Sequence, residues 1–144
     1  MSTQRPISVP RPLDVALRVA IVGLALATGA IHLNLGGTLF TLNGIGYVVA
    51  AAAIAVPLGL AIRFRWVIRL GLIGYALVAI VGWYLDGPRY DVAYLAKAIE
   101  VVLIALLSID FVRHDGNPIS VVREALTTLR HWLASPRPTL GRPI

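Results

Sequence analysis

Lys97 and Glu100 are a cation and an anion three residues apart, inside a largely apolar run from Val92 to Val112. On a helix such residues are neighbours, so they can form a pair that also handles a proton or grips a ligand. An ionisable group at membrane depth is costly and calls for a partner, water or a function. Two readings follow: a self-neutralising structural pair that orients its helix, or a functional pair. Tyr90, Tyr94 and Ser108 share that helix face. His32 closes another apolar run, with Asn34 two residues on, and either bonds a carbonyl or water at a helix end or joins a site. Asn43 and Tyr47 lie four apart in a third run, where Gly44 and Gly46 permit close helix approach. Their structural role would be interhelical hydrogen bonding in that seam. When the chain is threaded through a bilayer, His32, Asn43, Tyr47, Tyr84, Lys97 and Glu100 all fall in its outer half. Polar groups from several helices at one depth are what a pocket looks like. The ligand-binding candidates are therefore His32, Asn43, Tyr47, Tyr84, Tyr94, Lys97 and Glu100.

Other chemistries find no support. With no cysteine, the chain has no disulfide, thiolate metal site or iron–sulfur cluster. A haem needs an axial partner for His32, and because His114 and His131 are expected on the opposite membrane side, a homodimer or a larger complex would have to supply it. Zinc needs three or four protein ligands, and His32 with Glu100 falls short. There is no glycine-rich phosphate loop, serine elbow or helical histidine pair. No catalytic residue, metal ligand or cofactor is predicted. The cluster leaves room for a bound lipid or quinone.

The elements that carry these residues follow from composition. Of 144 residues, 58% are hydrophobic and 14% charged, with mean hydropathy +0.80. Soluble domains carry roughly 45–50% apolar and about 25% charged residues. The sequence therefore predicts an all-α integral membrane four-helix bundle, with spans of about 13–35, 39–62, 66–85 and 92–112. Asp14 and Arg18, four apart, are expected to pair near the start of the first span. Pro57 is expected to kink the second. Arg69 is expected to snorkel to the surface from the third. Residues 1–12 read as a flexible tail. Residues 117–144 read as a cytoplasmic amphipathic interfacial helix, Ile119–Ala134, followed by a flexible end. A cleavable signal peptide is not expected, because the first apolar run carries Asp14 and Arg18 and is too long.

Basic residues outnumber acidic ones thirteen to seven, and twelve of the thirteen are arginine. In a membrane protein this excess answers to anionic lipid headgroups rather than nucleic acid. With four spans, eleven arginines fall on one side and Arg89 alone on the other. The positive-inside rule then places both termini in the cytoplasm and the protein in a cell (inner or plasma) membrane. Small residues such as Gly23, Ala27, Gly29, Gly71 and Gly74 suggest helix packing, within the chain, with itself or with other membrane subunits. Two functions follow: a structural or accessory component of a larger membrane complex, or a module that binds or transports a small molecule, quinone or lipid.

The stretch from Leu17 to Ile54 resembles small four-span bacterial membrane proteins. In these, a helix ending in His-Leu precedes a Leu-Phe-x-Leu-Asn helix. The matching residues are His32, Leu33, Leu39, Phe40, Leu42 and Asn43. The layout, with Arg18 near the first helix start, is similar to the DoxX-like group. The resemblance covers about residues 13–60. It implies the four-helix architecture and brings no activity with it.

Overall fold

A computed structural model describes residues 11–56, 64–114 and 116–134. Within them are five helices and no strand: α1 (Pro12–Leu35), α2 (Thr38–Ala55), α3 (Arg65–Asp86), α4 (Asp91–His114) and α5 (Pro118–Ala134). The first four are long and apolar enough to cross a membrane. The chain is a multi-pass membrane protein built as an all-α bundle.

Local chemistry sets the helix ends. Pro12 opens α1, where its missing N–H costs nothing, and Arg11 before it is extended. Gly36 and Gly37 have φ of 71° and 81° and reverse the chain into α2; residues with a Cβ rarely adopt this backbone. At the far end of α3, the Trp83 indole donates to the Pro88 carbonyl (2.7 Å) and the Arg89 guanidinium lies 4.5 Å over the Trp83 ring. The turn into α4 is thereby pinned. Asn117 caps α5 by accepting the Ile119 N–H at 3.0 Å.

The four long helices pack as a closed ring: α1 on α2, α2 on α3, α3 on α4, and α4 back on α1. Ile21, Ala25, Ala51, Leu72, Ala76, Leu103 and Leu107 fill its centre. Small residues draw α1 and α2 together. A Cβ at Gly44 would lie 2.9 Å from the Gly29 carbonyl oxygen, so the two backbones touch. Large apolar side chains such as Val19, Val49, Val101 and Leu85 point outward, the pattern of a bundle bathed in lipid.

α2 is described to Ala55, after which Val56 is extended (φ −85°, ψ 125°), as a residue before proline prefers; the kink expected at Pro57 and the stretch toward Ile62 lie outside the described residues. Two expectations are corrected. Asp14 does not pair with Arg18: Asp14 accepts from Arg113 at 2.8 Å, while Arg18 turns to the Ile54 carbonyl at 2.6 and 2.9 Å. Arg18 thus satisfies a carbonyl that the end of α2 leaves open. Arg69 does not snorkel. It is buried and pairs with Asp110 at 2.7 Å. The expected tails (1–10 and 135–144) and the side chains of Leu129, Trp132 and Leu133 lie outside the described residues.

Candidate functional site

Glu100 sits on the face of α4 that meets α1, fully buried. A carboxylate there must be met from all sides. Lys97, one turn earlier on α4, reaches Oε2 with its Nζ at 2.7 Å. The Thr28 hydroxyl of α1 donates to Oε1 at 3.4 Å. His32 Nε2 stands 3.7 Å from the same oxygen. The other ring nitrogen of His32, Nδ1, is 2.8 Å from the Thr28 carbonyl. A carbonyl can only accept, so Nδ1 carries a hydrogen and Nε2 is the nitrogen turned to the carboxylate. Lys97 also donates to the Ala79 carbonyl of α3 at 3.3 Å.

Tyrosines from the other two helices complete the cluster. Tyr47 of α2 is fully buried. Its ring is 5.7 Å from His32 and 5.0 Å, edge-on, from Tyr75, and its hydroxyl, near Glu100, makes no well-formed hydrogen bond among the described residues. The Tyr75 hydroxyl of α3 donates to the Asn43 carbonyl at 3.0 Å. Only a glycine opposite allows this approach, because a Cβ at Gly46 would strike that hydroxyl.

Next to the cluster lies a cavity of about 470 Å³ at the end of the bundle that holds Gly36 and Gly87. His32, Asn43, Tyr75 and Lys97 contribute its polar wall; Phe40 and Trp83 are among its apolar and aromatic sides. The arrangement can hold an apolar body in the cavity and offer its polar end a hydrogen bond.

Of the residues singled out from the sequence, His32, Asn43, Tyr90 and Lys97 line this cavity, and Tyr47 and Glu100 are buried. Tyr84 and Tyr94 are not part of it. They are 69% and 52% exposed, Tyr84 lying under Arg89 and Tyr94 edge-on to Trp83 at 5.1 Å. Ser108 is also exposed and bonds back to the Ile104 carbonyl. Three contributors were missed. Thr28 is four residues before His32, so helical spacing could have found it. Tyr75 and Trp83 carry no such signal, except that Gly46 leaves a gap for the former.

A second polar cluster occupies the other end. Asp110 takes Arg69 and also His114, whose Nδ1 is 3.2 Å from Oδ1. With Asp14, Arg18 and Arg65 they wall a cavity of about 280 Å³. Glu100 and Asp110 are roughly 15 Å apart along α4, with Leu103 and Leu107 packed between. The two polar regions are therefore separated by apolar core. No group of three or more metal-ligating side chains occurs among the described residues.

No protein family, curated protein or solved structure matches this chain.

Proposed function

We propose that the protein is a small-molecule binding module of a cell membrane, taking a lipid-soluble molecule with a polar head, such as a quinone or lipid, into the cavity between α2, α3 and α4. The observation that carries this reading is the cavity itself: mostly apolar walls ending on Lys97 and His32, both in contact with the buried Glu100. Apolar pockets with a few convergent polar groups are the usual form of small-ligand sites. The arginine distribution puts this end of the bundle outside and both termini in the cytoplasm. α5 then lies along the cytoplasmic headgroups, where Arg123 and Arg130 suit anionic lipid. A purely structural role in a larger complex would rest on the exposed apolar side chains, and lipid contact already accounts for those.

The test uses the purified chain in neutral detergent and an uncharged short-tailed benzoquinone. Trp83 lines the cavity, so its fluorescence should be quenched saturably. The saturable part should vanish in Trp83→Phe, which leaves Trp66 and Trp132 to report nonspecific quenching. Gly82 also lines the cavity, and a Cβ there meets nothing within 4 Å. Gly82→Phe should therefore fill the space and abolish saturable quenching without unfolding the bundle. Quenching that is linear in quinone, or unchanged by Gly82→Phe, would refute the reading.

A further inference from the structure

We infer that this cavity selects an uncharged amphiphile with a hydrogen-bond-accepting oxygen, and discriminates against the corresponding carboxylate, because Glu100 has already cancelled the charge of Lys97. The inference rests on the cavity being a ligand site. It adds the chemical class of the ligand and a role for each member of the pair.

An ammonium carries three N–H donors. Lys97 spends one on Glu100 Oε2 at 2.7 Å and a second on the Ala79 carbonyl at 3.3 Å. The third has no protein acceptor among the described residues, and Lys97 forms part of the cavity wall. A donor facing apolar walls is an unmet demand. One carbonyl, ester, ether or quinone oxygen would meet it, with the rest of the molecule against Phe40, Val78 and Trp83.

Charge decides against an anion. Lys97 meets Glu100 on its own helix and the Ala79 carbonyl of α3; beyond Glu100 stand Thr28 and His32 on α1, then Tyr47 on α2 and Tyr75 on α3. The fixed charges among them are Lys97 and Glu100, which sum to zero. A second acidic side chain, Asp86, also lines the cavity. A carboxylate entering here would lose its water, compete with Glu100 for one ammonium and face Asp86. Burying a charge without a new partner is strongly unfavourable. Glu100 is therefore a positioning residue: it fixes the direction of the Lys97 ammonium and removes its attraction for anions. Lys97 is the residue that touches the ligand.

The experiment compares an acid with its own ester. Methyl decanoate and decanoate, each below its aggregation range, compete with the quinone for Trp83 quenching in the full-length chain. The ester should displace the quinone at a concentration about tenfold lower or better than the acid, because the acid must bury a charge that gains no partner of its own. In Glu100→Gln the lysine charge is no longer cancelled, and the preference should swing toward the acid. In Lys97→Met the ester should lose about tenfold in affinity. Decanoate matching or beating its ester on the unaltered protein would overturn the inference while leaving the cavity a ligand site. That comparison needs no variant, so it decides the matter even where a substitution prevents folding. An unchanged ester-to-acid ratio in a folded Glu100→Gln protein would overturn the role given to Glu100. Absence of saturable quinone quenching would remove the ligand site, and this inference with it.

Discussion

Replacing Gly46 by alanine adds one methyl group at the tightest contact between α2 and α3. The new Cβ would meet the Tyr75 hydroxyl, and it would lie 2.7 Å from Cζ and 3.2 Å from Cε1 of the same ring. A tyrosine ring cannot bend away as a lysine tip can. The ring must rotate or the helices must part, and the bond from Tyr75 to the Asn43 carbonyl is lost either way. Overpacking of this kind costs roughly 1–3 kcal/mol. The lost hydrogen bond adds about 1 kcal/mol. The clash and the lost bond together cost about 2–4 kcal/mol and alanine's better helix propensity returns about 1, so Gly46→Ala should destabilise the bundle by about 1–3 kcal/mol net. Equilibrium unfolding in mixed detergent measures the net loss. The same change made in a Tyr75→Ala background meets an empty space and should cost almost nothing. The interaction energy between the two sites should therefore be about 2 kcal/mol or more. Equal losses in both backgrounds would show that Tyr75 does not occupy the gap left by Gly46.

The Arg69–Asp110 pair should behave as a unit. Arg69→Met and Asp110→Leu should each cost on the order of 3 kcal/mol, and the double variant should recover much of that in the same unfolding assay, because two buried charges leave together. Strictly additive losses would count against the pairing. Reporter fusions after Gly36 and after Gly116 should lie on opposite sides of the membrane, with the Gly36 fusion outside. Both on one side would exclude the four-span topology.

Local spacing made much of this legible. Apolar runs of membrane-crossing length stand between Gly36-Gly37, Arg63–Arg65 and Gly87-Pro88, so the span count followed directly. The Lys97–Glu100 contact was readable for the same reason, since three residues on a helix are a fixed geometry. What local spacing could not give was choice between local and distant partners. Asp14 had a suitable neighbour in Arg18, yet its partner is Arg113, at the far end of α4. Arg69 looked free to reach the surface because nothing nearby in sequence announced Asp110. Depth also proved easier to read than rotation. Counting residues put Tyr84 and Tyr94 at the height of the cavity, but only the packing of α3 on α4 turns them outward. The helix end at Ala55 follows from Val56 avoiding helical angles before Pro57, a preference that competes with the long apolar run around it.

The ring is closed by its last member, and this bears on how the chain is made. Every ion pair between helices described above runs through α4. It brings Glu100 to His32, Asp110 to Arg69, and Arg113 to Asp14. The first three helices are joined by polar links to backbone carbonyls, from Arg18 to Ile54 and from Tyr75 to Asn43. Chains enter the membrane from the N-terminal end. A half-made protein therefore holds Arg69 before Asp110 has reached it. Arrival of α4 brings Asp110 to one end of the bundle and builds the lysine–glutamate floor at the other. A chain that stops short of α4 lacks both carboxylates, Asp110 and Glu100, around which the two polar clusters form.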